Sequence, residues 1–224
     1  MNKEPFNMKI AHRDKNKNKH YADSINGYEI DASSIQRVPC IQITQDRALN
    51  NLIKTIHQKL LYETLMRNDG HKFDEVGCLL ELIEPYRNTD MIFGYYNKNT
   101  NTSSINAHNN KEYTDYMDTH LAKQLIFMHT HPNNSGLSYG DIYNLIVNDK
   151  LYAVTAVCNN GGVYAVYKND KFNTTDLKNK IRKFNLTNRK IDEQERIKIE
   201  NKIVKRLMAE QDKYGIIFKY SIRR

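Results

Sequence analysis

Between Asp46 and Asn68 the chain places Leu49, Leu52, Ile53, Ile56, Leu60, Leu61 and Leu65 at spacings of three and four. That is the period of an amphipathic α-helix with one apolar stripe. Such a stripe has to be covered, and downstream of "DGHKF", with Gly70 as the helix stop, the chain holds a series of short apolar runs of strand length. "EVGCLLELIEP", closed by Pro85, predicts a buried strand, and "MIFGYYN" another. "THLAKQLIFMHTH" predicts a strand over Gln124 to His131. "LYAVTAVCNNGGVYAVYK" reads as two alternating runs joined in a hairpin that turns at Asn159 to Gly162. "SYGDIYNLIVN" returns to helical spacing, residues 172–211 hold charged helical segments, and "GIIFKYSI" predicts a last strand. The expected fold is α/β, a mixed β-sheet flanked by helices.

The remainder is polar. Residues 1–45 read as an N-terminal arm with "DKNKNKH" at its centre, although the alternation in "VPCIQIT" (38–44) predicts a short strand within it. Residues 46–184 form the expected domain, and 185–224 a charged helical C-terminal extension. "NKNTNTSSINAHNNKEY" has loop composition throughout, so residues 97–112 are expected to be a loop.

The formal charge is +8, from 34 Lys and Arg against 26 Asp and Glu. The excess is spread through "HRDKNKNKH", "KNKIRKF" and "SIRR", which describes solvated lysines better than a nucleic-acid surface. A nucleic-acid partner is therefore not favoured. Cys40, Cys78 and Cys158 are an odd number without short spacing, which excludes a disulfide framework and a CxxC metal site. No cysteine lies near a histidine in sequence, so a cysteine hydrolase is the least expected enzyme. The first residues have no apolar core of signal-peptide length and no run approaches a membrane span. A cytoplasmic protein without membrane attachment is the expectation.

Chemistry concentrates in "LIFMHTHPNNSGLSYGD" (125–141). On a strand His129 and His131 point to one face and Thr130 to the other, with about 6.5–7 Å between the two histidine Cα atoms. Two imidazoles so placed can converge on one metal ion. Ser138 and Asp141 share the first turn of the following helix, where they resemble a capping pair. If the "PNNSGL" turn folds that helix back over the strand end, Asp141 supplies a third ligand. Two nitrogens and a carboxylate leave a fourth tetrahedral position for water, the open arrangement of a catalytic zinc.

These residues resemble the signature of the JAMM (MPN+) zinc metalloprotease family: H-x-H-P, a spacer, then S-x-x-D. The glutamate strand of that family resembles "DEVGCLLEL" upstream, and the likeness in element order runs over roughly residues 46–170. The spacer "PNNSGL" is one residue shorter than usual, and Ser135 rivals Ser138, but only Ser138 keeps the x-x-D spacing. The resemblance implies a cytidine-deaminase-like architecture and zinc held by His129, His131 and Asp141. It implies that Glu75 moves the proton and that Ser138 donates to a developing oxyanion. Glu81 shares a strand face with Glu75 and is the alternative carboxylate. The implied substrate is a protein or peptide with an extended tail, cut at a peptide or isopeptide bond. A metal-binding scaffold without activity and a RadC-like nucleic-acid-associated protein are the alternative functions. His57 on the long helix, His12 and His20 in the arm, His71 in a turn and His108 in the loop read as incidental.

Overall fold

The computed structural model describes residues 30, 32–67, 75–97, 102–105, 110–132, 136–183 and 192–221. In chain order the elements are α1 (Ala32–Arg37), α2 (Arg47–Arg67), β1 (Val76–Glu81), β2 (Ile92–Phe93), β3 (Tyr95–Asn97), β4 (Thr102–Ser104), α3 (Lys111–Asp118) and β5 (Leu125–His131). There follow α4 (Tyr139–Val147), β6 (Leu151–Cys158), β7 (Val163–Lys168), α5 (Thr174–Lys183), α6 (Glu193–Ala209), α7 (Gln211–Tyr214) and β8 (Ile216–Ser221). Six strands make one sheet in the order β2-β1-β5-β6-β7-β8, and β3 and β4 pair as a separate hairpin. Only β5 and β6 run parallel within the sheet, with Phe127 opposite Val154 and His129 opposite Ala156. A parallel pair needs a crossover, and α4 supplies it.

Every residue of β5 is buried, as expected of a strand covered on both faces. On one face the apolar stripe of α2 (Ile53, Ile56, Leu60, Leu61) packs on Cys78, Leu80, Ile126, Met128, Ala153 and Val157. On the other, Ile142, Leu145 and Ile146 of α4 lie with Leu177 of α5 and Ile203 and Leu207 of α6 against Leu79, Phe127, Val154 and Val166. The mixed sheet between helical layers, the long helix and the hairpin at Asn159–Gly162 match the sequence expectation.

A polar seam crosses the first layer. His57 is buried with Nε2 2.9 Å from the Thr155 hydroxyl. Thr130 accepts a hydrogen bond from the Val76 N–H at 2.9 Å, joining β1 to β5 from the α2 side. Thr130 thus faces away from the side on which its histidine neighbours lie, as strand alternation requires.

Several expectations need correction. "VPCIQIT" forms no strand, because the Asn50 side chain at the start of α2 accepts from the Ile43 and Thr44 N–H groups at 3.1 and 3.2 Å, in place of a neighbouring strand. Its alternation instead buries Val38, Ile41 and Ile43, which with Ile30 and Ile35 join the core beneath α2. The described part of the N-terminal arm is therefore integral to the fold. The expected last strand is present as β8, which pairs with β7 from Lys168–Ile216 to Val163–Ser221, and with Tyr214 and Ile216 buried the described part of the C-terminal extension is integral as well. Residues 97–112 are not loop throughout. They include β4, which pairs with β3, and the start of α3, where the Asn110 side chain accepts from the Tyr113 N–H. "MIFGYYN" is split at Gly94 between the main sheet and the hairpin. Among the described residues no helix is long and apolar enough to cross a membrane.

Burial, and secondarily the charge of His129, pushes the His57 imidazole down to about 3 from an ordinary 6.5. An unfolded chain takes up this proton below pH 6.5 and the folded chain does not until near pH 3. The contribution of His57 to stability is therefore complete above pH 6.5 and declines as pH falls through that window, by about 1.4 kcal/mol per unit at most. His57→Gln, which keeps a hydrogen-bonding group without titrating, is expected to flatten this acid limb in urea unfolding measured from pH 7 to pH 4.

Candidate metal centre

The centre forms where β5 ends and α4 begins. His129 and His131 leave β5 on the same face, and their Nε2 atoms approach to 3.0 Å. The Asp141 carboxylate sits against both: Oδ1 lies 3.1 Å from His129 Nε2, and Oδ2 lies 3.4 Å from His131 Nε2. These three residues are the ones grouped closely enough, among those described, to hold a metal ion, with ligand atoms within 4.8 Å of one another. Two imidazole nitrogens turned toward each other and toward one carboxylate make poor use of neutral hydrogen bonding. A divalent cation satisfies all three at once, so the donor set fits a metal.

Local packing sets each side chain. The His129 ring stacks on Phe127, with centroids 4.9 Å apart and planes 10° from parallel. Its Nδ1 is buried without a hydrogen-bond partner, so stacking rather than a second polar contact holds this ring. Gly77 lies directly opposite His129 across the β1–β5 pairing. A Cβ there would come within 2.9 Å of the Met128 carbonyl oxygen, 2.8 Å of Ile105 Cδ1 and 3.2 Å of His129 Cβ. Glycine is what lets these groups close over β1.

Asp141 is placed by its helix. Ser138 is the N-cap of α4: its Oγ accepts from the Asp141 N–H at 3.2 Å, and its own N–H and hydroxyl each donate to Asp141 Oδ2 at 2.7 Å. Burial acts to raise the Asp141 carboxyl, but the charge of His129 and hydrogen bonds from both histidines outweigh it. The group lies well below the ordinary carboxylate range. The positive end of α4 favours the anion in the same sense.

Continuing the β1–β5 register from Gly77 and His129 carries Glu75 to the position opposite His131. Glu75 is half-buried, and Oε2 accepts from the Ile105 N–H at 3.2 Å. Its backbone oxygen accepts from the Gly94 N–H at 2.7 Å. Burial pushes its carboxyl up, opposed by the charges of His131 and His129 and reinforced by that of Asp141. Glu75 therefore shares the electrostatic environment of the three ligands. Glu81 does not. It pairs with Leu125 at the far end of the strand, where Tyr116 Oη donates to its Oε1 at 2.6 Å and His120 Nε2 lies 2.8 Å from the same oxygen.

His120 and Ile105 escaped the sequence reading, the first because it stands outside any motif and the second because its donor is main chain. Ser135, His12, His20, His71 and His108 lie outside the described residues. The chain matches no protein-family model, no curated protein and no solved structure.

Two variants test the centre by metal titration of the purified protein. His129→Ala removes one of three protein ligands and is expected to lower affinity at least about tenfold. Gly77→Ala leaves every ligand in place, yet its Cβ meets a carbonyl oxygen that cannot yield cheaply, so it too should weaken metal binding. Unchanged affinity in Gly77→Ala would show that β1 does not constrain His129.

Proposed function

We infer that this chain is a zinc-dependent hydrolase that cuts a peptide or isopeptide bond in an extended protein tail. One observation carries the reading: Glu75, a carboxylate raised by burial, stands within the electrostatic reach of two histidines and an aspartate that converge on one point. The likeness of "HTHPNNSGLSYGD" and "DEVGCLLEL" to the JAMM signature supports it, as does the mixed sheet flanked by helices.

His129, His131 and Asp141 would hold the ion, and their two nitrogens and one oxygen are a donor set that suits zinc. A zinc ion so held would supply Lewis acidity and would lower the pKa of a water molecule toward neutrality. The protein's own groups do the rest. Glu75 is the proton carrier: a carboxyl raised by burial accepts a proton from the attacking water and returns it to the departing amine. The Ser138 hydroxyl, 2.7 Å from Asp141 Oδ2, is a donor beside the ligands and would turn to a developing oxyanion, a contact worth about 3–4 kcal/mol in other hydrolases. Its capping of α4 and this role are compatible, since the backbone N–H of Ser138 keeps its own bond to Asp141.

The decisive experiment incubates the protein with isopeptide-linked and linear tail peptides, with chelator and zinc add-back. Cleavage should stop with chelator and return with zinc. Glu75→Gln should keep its zinc and lose at least about a hundredfold in kcat, because an amide cannot carry the proton. Zinc binding without cleavage of any tail would instead favour a metal-binding scaffold.

A further inference from the structure

We propose that Ile105 is a positioning residue, whose backbone N–H holds the Glu75 carboxylate in place beside the metal ligands. The proposal rests on the hydrolase reading for what Glu75 does, and on geometry alone for how it is held.

Three contacts converge on Glu75 and the first residues of β1. The strand β3 leaves the sheet immediately after Gly94, whose N–H donates to the Glu75 backbone oxygen at 2.7 Å. Its partner β4 returns at Ser104, opposite Tyr95, and delivers Ile105 to the Glu75 side chain, where the N–H donates to Oε2 at 3.2 Å. The Ile105 side chain then lies against Gly77, in space that any other residue at 77 would fill. The hairpin is thus bonded at its first stem to the main chain of Glu75 and at its second to the carboxylate.

A glutamate has three side-chain torsions, and an unanchored carboxylate samples several rotamers. A general base works only within hydrogen-bond reach of its proton, and a misplacement near 1 Å costs roughly a hundredfold. The N–H also donates to the charged form, so it anchors the carboxylate in the state that receives a proton. Being main chain, the donor is indifferent to the residue type at 105, provided that residue is not proline.

The test has two readouts. In the first, amide hydrogen exchange is compared by NMR between the wild-type chain and Glu75→Ala without added metal. The Ile105 amide should exchange at least about tenfold faster in the variant, an opening of about 1.4 kcal/mol. The Gly94 amide, which bonds a backbone oxygen that alanine retains, should keep its protection. Equal exchange at Ile105 in both proteins overturns the tether.

In the second, residue 105 is replaced by the α-hydroxy acid analogue of isoleucine, which changes only the N–H to an ester oxygen. With the zinc-loaded protein, kcat should fall about 10- to 100-fold with KM and zinc content unchanged, whereas protein made by the same incorporation route with isoleucine itself at 105, which retains the N–H, should keep wild-type kcat. An ester variant with unaltered kcat overturns the positioning role. Absence of cleavage by the wild-type chain overturns the hydrolase reading instead, and the exchange comparison still decides the tether.

Discussion

The gathering of two imidazoles and a carboxylate in the interior is the constraint on which the surrounding structure depends. Burying such groups is costly unless they find partners. Here the cost is limited by the junction of β5 and α4: the strand presents both histidines on one face, and the first turn of the helix brings Asp141 to them. The carboxylate collects two hydrogen bonds from Ser138, and the helix start supplies a favourable field. What one face of β5 concentrates, the opposite face supports by apolar packing. There Met128 and Ile126 pack under α2, and the one polar residue between the histidines, Thr130, is satisfied by the Val76 N–H.

The same junction explains why Glu75, just before β1, and Glu81, at its end, have different fates although they share a strand face. Glu75 is at the end where β5 carries histidines, and Glu81 is at the end where β5 starts. Burial acts to raise both. Hydrogen bonds from Tyr116 and His120 overturn it at Glu81, which lies below its ordinary range, while burial prevails at Glu75. Two glutamates six residues apart thus divide into an anchored ion at one end and a carboxyl poised to take up a proton at the other.

The parts legible in the sequence were those whose cause is local. Strand alternation placed His129 and His131 on one face, the Ser138-x-x-Asp141 spacing announced a helix start, and "NNGG" announced the hairpin. What escaped has its cause elsewhere in the chain. The alternation at Val38–Ile43 was a sound sign of burial, but a single side chain, Asn50, took the place of a strand partner. The polar composition of residues 97–112 concealed β4 because its pairing with β3 is made by the backbone and leaves no side-chain pattern. The last strand was legible in the apolar run of "GIIFKYSI", whereas the extent of the core toward the N-terminal side was hidden because an isolated apolar residue such as Ile30 carries little weight until a fold brings it to its partners.

All three ligands come from one short segment, residues 129–141, while the carboxylate beside them arrives only when β1 pairs with β5. Closing a short loop costs little entropy and closing a longer one somewhat more, by about 0.6 kcal/mol per doubling of length. During synthesis or refolding the segment carrying the three candidate ligands can therefore draw its side chains together early, from the end of β5 to the first turn of α4. The long-range pairing that delivers Glu75 comes as a separate and later event. On the hydrolase reading proposed above, metal capture and chemical competence would then belong to different stages of the folding route, and a chain still incomplete would carry an ion without its proton carrier.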